Sequence, residues 1–410
     1  MNSSADLIAS AESRLSAAVE LLRQMVEINS WTQNRDGVAR VGEVTANAFS
    51  PLGFTGERVP STNPSWADHW IMTRSGTGPH TIALVSHLDT VFPPEEEARN
   101  DFRWRPEGDR IFGPGTYDIK GGTVMMWLTL QILRELHPEL FQAVTWKLLW
   151  NSSEEVLSPD FGGVCRGRLG QGTLAALVFE GEGKGPGTRR LVVARKGRAT
   201  WRVRVRGRGA HAGVRPESGA NAVVQLARLV DRIEGLNDEA RQLSCNVGRI
   251  QGGVGLNRVP HVAEAEGEFR AFSSEAYTHA KNSLLALAGP GDLASKADGF
   301  RCTIEVEITD ETRPWPRNSE TDKLFEHWRS AGELLGQVVE PEARGGLSDG
   351  NGLWDYVPTL DGLGPNGDND HCSERSPDGS KLPEFVDVSS FVPKAALNVA
   401  AIVRLVATAG

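Results

Sequence analysis

Long apolar runs are missing from this chain, and none approaches the roughly 18 uncharged residues of a membrane span. Cysteine is scarce. Cys165, Cys245, Cys302 and Cys372 stand far apart with no C-x-x-C pair, which argues against a thiolate zinc site and against a disulfide framework. A surplus of positive charge is lacking too: 44 Lys and Arg against 53 Asp and Glu give a formal charge of -9, so neither nucleic acid nor an anionic membrane is expected as a partner. Repeats and low-complexity segments are absent, and 39% hydrophobic with 24% charged residues is an ordinary globular composition. The N-terminus also lacks the uncharged core of a signal peptide. Asp6, Glu12, Glu20 and Glu27 alternate with Leu7, Leu15, Val19, Leu22 and Val26 at helical spacing, so an amphipathic helix and a reduced, cytoplasmic protein are expected.

What is present is length: 410 residues exceed what one hydrophobic core usually organises, so two domains are expected. Strand-like runs at His80 to Ser86, Ala143 to Trp150 and Leu174 to Phe179 alternate with a helical pattern over Gly122 to Leu136. That alternation predicts an α/β domain with a mixed sheet, whose sites collect at the carboxyl ends of strands. From Leu191 the character changes to strands at 191–194, 199–205, 244–250 and 263–272, with helices over 219–233 and 274–287. A small α+β domain over 191–312 is therefore expected to interrupt a domain formed by 1–190 and 313–410.

Five segments carry candidate chemistry. His87 and Asp89 follow the apolar run Thr81 to Val85; a histidine there can bind a metal while a carboxylate orients its other nitrogen, although His-x-Asp also arises by chance. Asp118 sits in a Gly-rich loop, Gly113 to Gly122, that can cap a helix or approach an ion, and no phosphate-binding spacing is present. Glu154 and Glu155 follow the strand Thr145 to Trp150. On a surface they are a solvated pair; buried together they call for a cation or a raised pKa. Glu180 closes another apolar run, and His371 lies in a polar segment. Together His87, Asp118, Glu155, Glu180 and His371 make a nitrogen and oxygen donor set suited to zinc, with cobalt or manganese also accommodated. A carboxylate bridging two ions is the expected arrangement of a two-metal hydrolase.

In order and spacing these motifs resemble the co-catalytic di-zinc exopeptidases and amidohydrolases that include glutamate carboxypeptidase, aminoacylase, acetylornithine deacetylase and succinyl-diaminopimelate desuccinylase. The resemblance runs from the first helix to the last. It implies that His87 and Glu180 hold one ion, Glu155 and His371 the other, and Asp118 both, with Asp89 orienting His87 and Glu154 as general base. It further implies a ferredoxin-like inserted dimerisation domain and a homodimer, in which His211 of Gly207 to Gly213 polarises the scissile carbonyl in the partner's site. Asn257 and Arg270 resemble substrate-positioning residues, the guanidinium being suited to a carboxylate. Gly346 and Ser348 resemble a pocket-lining loop, with Leu347 and Gly350 departing from the usual pattern.

The expected activity is hydrolysis of an amide C–N bond in a small carboxylate-bearing substrate, an N-acyl amino acid or dipeptide. The motifs build the water nucleophile and not its target, so hydrolytic deamination of a non-peptide amine, for example an aromatic one, on the same dinuclear centre is an alternative. A silent binding protein on this scaffold is a second, opposed by the base beside the ligands. The strand from Trp201 to Arg208 places four arginines on one face; period-two alternation needs only a solvated sheet face, and an anion-attracting funnel is the competing reading.

Overall fold

The computed structural model describes residues 3–183 and 187–409, which divide into two compact units. The first comprises residues up to Val193 together with Arg317–Ala343 and the chain from Ser348 onward; the second comprises Ala194–Pro316 and Arg344–Leu347.

The first unit is built on a six-stranded mixed sheet. Strands β1 (Thr55–Val59), β2 (His69–Arg74), β3 (Thr81–His87), β4 (Thr145–Asn151) and β5 (Thr173–Val178) lie in the order β1-β2-β4-β3-β5, with a short strand Thr359–Leu360 beyond β5. β1, β2 and β4 pair antiparallel, whereas β4, β3, β5 and the short strand run parallel. The parallel strands are apolar on both faces, as a covered sheet requires. Ile82 and Leu84 join Leu148, Trp150 and Leu177 in a core with the helices Ser4–Val26, Lys120–Leu136 and Phe391–Ala409, while Ala83 and Val85 join Leu149, Ala176, Phe161 and Leu353 on the other side.

One expectation needs correction. The segment Val388–Ala409 is long and apolar enough to cross a membrane by length and composition, yet most of it is buried in the chain's own interior. Phe391, Ala395, Leu397 and Ile402 are buried in the first unit's core, which explains the helix's apolarity.

A second, four-stranded sheet joins Gly367–Asp368, Phe385–Asp387, Arg110–Phe112 and Arg105–Glu107. Phe385 lies opposite Phe112, and Gly113 N donates to Glu384 O just beyond that pair. This small sheet brings the loop after Phe112 beside the segment that ends at Glu384.

The second unit is an antiparallel sheet of β6 (Gly197–Arg206), β7 (Ser244–Gly252), β8 (Val262–Ala271), β9 (Gly289–Ala294) and β10 (Arg301–Thr312), ordered β7-β8-β6-β10-β9. The helices Ala222–Glu234 and Ser274–Leu285 cover one face through Leu226, Leu229, Ile233, Tyr277 and Leu284, packed on Trp201, Val203, Val205 and Phe269. Strands β7, β8, β6 and β10 have the ferredoxin-like order, and β9 adds a fifth at the edge opposite β7. On the open face Arg204 of β6 lies between Glu264 and Glu305 of its neighbours. Arg202 pairs with Glu266 at 2.9 Å, Arg204 with Glu264 at 2.6 Å and Arg206 with Glu305 at 2.8 Å. The arginines are therefore neutralised across the sheet, which favours the solvated face over the funnel.

Candidate metal centre

Two sheets deliver the five candidate ligands. β3, β4 and β5 run parallel and end at one edge: His87 is the last residue of β3 and pairs with Asn151, the last of β4, while Val85 pairs with Val178. Two residues beyond Val178, Glu180 comes level with His87. The turn after Asn151 carries Glu154 and Glu155. Asp118 arrives on the loop after Phe112, immediately before the helix Lys120–Leu136. Gly122 lets this helix start against β5's exit, since a Cβ there would lie 1.9 Å from Phe179 O. His371 adopts a left-handed backbone with φ 60, a conformation uncommon for side chains larger than glycine and typical of functional sites.

The side chains converge in two overlapping groups. Ligand atoms of His87, Asp118 and Glu180 lie within 4.8 Å of one another, as do those of Asp118, Glu155 and His371. His87 Nε2 is 3.0 Å from Asp118 Oδ1 and 3.8 Å from Glu180 Oε1; His371 Nε2 is 3.1 Å from Glu155 Oε2 and 3.4 Å from Asp118 Oδ2. Each of Asp118's oxygens thus faces a different histidine. His87 Nδ1 donates to the main-chain carbonyl of Asp89 at 3.0 Å, so Nε2 is the nitrogen left for the cluster. The carboxylate of Asp89, expected to orient the ring, lies beside the same nitrogen with Oδ1 3.4 Å from Nδ1. It also accepts from Glu154 N at 3.0 Å, Glu155 N at 3.2 Å and the Thr32 hydroxyl at 2.7 Å, tying the glutamate turn to β3's exit.

Burial pushes Glu154 well above the ordinary carboxylate range; the charge of His87 opposes this, and Glu180, Asp349 and Glu155 add to it. Burial likewise raises Glu155 to about 7, aided by Asp118. His371 is raised to about 11 by hydrogen bonds to Asp118 and Glu155. His87 is raised too, because the carboxylates of Asp118 and Asp89 outweigh its burial. Asp118 is buried, yet the two imidazoles hold it below its usual range. Buried carboxylates that repel one another beside imidazole nitrogens are the electrostatic condition a divalent cation relieves. The donor set therefore fits a metal pair.

Residues 193–291 match the peptidase dimerisation domain of the M20 family. Carboxypeptidase G2 of Pseudomonas sp. (strain RS-16) is 29% identical over 380 residues, 91% of this chain and 86% of that protein. Among solved structures, aminopeptidase PepT from Bacillus cereus superposes with a TM-score of 0.73 at 23% identity, covering 96% of this chain and 99% of its own. The M20 metallo-carboxypeptidase Sso-CP2 from Sulfolobus solfataricus gives 0.68 at 15% identity, covering 94% and 98%. The chain thus carries an M20 peptidase dimerisation domain and shares the fold of M20 metallopeptidases over nearly its whole length. It is accordingly a metallohydrolase of peptide-type C–N bonds that uses divalent ions.

The other candidate residues fall in two places. In the second unit His211 and Asn257 are exposed neighbours: His211 bridges to Arg258, and Ala212 N donates to Asn257 O at 2.9 Å. His211 Nδ1 accepts from Gly213 N at 3.1 Å, which puts the ring hydrogen on Nε2, the outward donor. Arg270 was expected to offer its guanidinium to a substrate carboxylate; it is engaged by Glu268 at 2.8 Å and by the Gly345 carbonyl at 3.1 Å. Gly346 turns its carbonyl to Arg195 at 3.1 Å. Ser348, expected to line a pocket, is 5% exposed, donates to Asp361 at 2.8 Å and caps the turn Asp349–Gly352.

Three residues escaped the sequence reading. Glu384 is fully buried, and its Oε1 accepts from Tyr117 N at 2.8 Å and Asp118 N at 3.1 Å; burial raises it to about 8. Asp349 accepts from Asn151 at 2.7 Å and is raised to about 7, chiefly by burial. His69 is buried on β2, where Nδ1 accepts from Ser152 N at 3.1 Å and Nε2 faces Asp160 at 3.3 Å, bracing the turn that bears Glu154.

Proposed function

We propose that this M20 chain cleaves an amide C–N bond in a small carboxylate-bearing substrate, an N-acyl amino acid or a dipeptide, through an attacking water with Glu154 as general base. The observation that carries the reading is the pair of ligand groups sharing Asp118, with Glu154 on the turn beside them. His87 and Glu180 would hold one divalent ion, Glu155 and His371 the other, and Asp118 both; zinc suits this set, with cobalt or manganese also fitting. When bound, such ions lower the pKa of water towards about 7 and polarise a carbonyl. Glu154 accepts the proton of the attacking water and returns it to the leaving nitrogen. Asp89 keeps Glu154 and Glu155 in place through their main-chain N–H groups. Asn257 would position substrate, with Gly346 and Ser348 shaping the loop beside it; Arg270 could take a substrate carboxylate only by giving up Glu268.

The protein acts as a homodimer in the cytoplasm, with His211 donating its Nε2 hydrogen to the carbonyl oxygen in the partner's centre. Support comes from the dimerisation-domain match and from β7, an edge strand with Ile250 57% exposed, beside the exposed Val223 and Val224.

The test is hydrolysis of a panel of N-acyl amino acids, dipeptides and aromatic amines by metal-loaded protein, with a chelator-treated control. Chelator-sensitive amide cleavage is expected. Ammonia release with amides untouched would replace this reading by deamination, and silence across the panel despite bound metal would refute it.

A further inference from the structure

We propose that Glu384 is the positioning residue that fixes the span between Asp118 and His371, and so sets whether the second ion can be held; this rests on the metal-centre reading above. Asp118 and His371 lie on separate loops, and no strand of the main sheet carries either. Glu384 touches both loops with different parts of one residue. Its side-chain Oε1 accepts from Tyr117 N at 2.8 Å and Asp118 N at 3.1 Å, gripping the main chain at the shared ligand itself. Its main-chain N donates to Cys372 O at 2.8 Å, one residue after His371, and its carbonyl accepts from Gly113 N at 3.3 Å. Phe385 then locks the position by pairing with Phe112.

The grip is costly in isolation. Glu384 is fully buried, and its Oε2 makes no hydrogen bond. A carboxylate placed only to cap two N–H groups would ordinarily have its second oxygen satisfied or exposed. His371 needs external bracing as well: its backbone is left-handed and its side chain is 54% exposed, so its own packing does little to hold it. Removing the acceptor at Glu384 frees the Asp118 loop to shift from Glu155 and His371 while leaving His87 and Glu180 on their strand ends. The ion between Asp118, Glu155 and His371 is therefore the more affected of the two, since the other keeps His87 and Glu180 in place.

The experiment is titration of the full-length, metal-stripped protein with cobalt(II) and with zinc, following stoichiometry by calorimetry and the cobalt d–d spectrum. Wild type takes two equivalents. Glu384→Ala is expected to weaken the second equivalent roughly 10–100-fold, the loss typical when a partner behind a ligand is removed, with a changed spectrum. Glu384→Gln keeps an acceptor oxygen towards Tyr117 and Asp118 and is expected to hold both ions as wild type does. The Gln variant keeps the proposal exposed even if the Ala variant fails to fold: loss of the second ion in Glu384→Gln would show that charge and not positioning is at stake. Two ions bound by Glu384→Ala with unchanged affinity and spectrum would overturn the proposal. A wild type that binds no cation would instead remove the metal centre itself.

Discussion

Two clusters of charge stand out in this chain, both rich in carboxylates, with opposite outcomes. On β6 of the second unit, arginines stand in a row between glutamates of β8 and β10, half-exposed and each paired with at least one of them. At the ends of β3, β4 and β5 of the first unit, Asp118, Glu155 and Glu180 meet two imidazoles. Solvent screens the first cluster, so each pair contributes at most about 1 kcal/mol. Burial makes the second expensive, and its pKa values spread apart accordingly. Density of charge does not mark a site; titratable groups of shifted pKa gathered out of water do.

The contrast can be broken at either end. The largest effect belongs to Glu154→Ala, which should lower kcat by about 10²–10⁴-fold while metal content stays at the wild-type level. Retained turnover would remove Glu154 from the base role. Next is His211→Ala, with a loss of about 10²–10³-fold in kcat expected for an oxyanion donor. If that histidine serves the partner's centre, mixing His211→Ala with Glu154→Ala protomers should restore activity that neither has alone; no recovery in verified mixed dimers would place His211 elsewhere.

A smaller effect is expected at His69. Burial lowers its pKa below 6.5, opposed by Asp160 and more weakly by Asp89 and Asp68. The unfolded chain therefore binds this proton more readily than the folded one. Stability is full above pH 6.5 and falls as the pH drops towards the folded value. His69→Asn should flatten the acid side of the unfolding profile relative to wild type, and identical slopes would exclude His69 as its source. Smallest is Arg204→Met, for which a cost of about 1 kcal/mol or less in chemical denaturation is expected, with metal content and kcat unchanged. A larger loss would mean that the ladder does more than neutralise itself.

The ligands were legible because three of them sit where an apolar run stops: His87, Glu155 and Glu180 follow β3, β4 and β5, and a parallel sheet gathers such ends. Period-two patterning likewise exposed β6. The same signal was present and passed over at β10, where Cys302, Ile304 and Val306 alternate with Glu305 and Glu307; this strand and β9 complete the second sheet. The supporting residues were not legible, because main-chain hydrogen bonds leave no side-chain pattern. Glu384 looks like a lone acid before Phe385, and only the pairing of Phe385 with Phe112 reveals what it grips. Arg270 and Ser348 were singled out by the resemblance of their segments, which did not reveal that Glu268 and Asp361 already engage them.

Asp118 turns one oxygen to His87 and the other to His371. For a pair of ions held there, the two sites are then not independent compartments but one thermodynamic object. Whatever factor the first ion confers on the affinity of the second, the second must confer on the first, so a substitution at His87 would be felt in the occupancy at His371 as surely as one beside it.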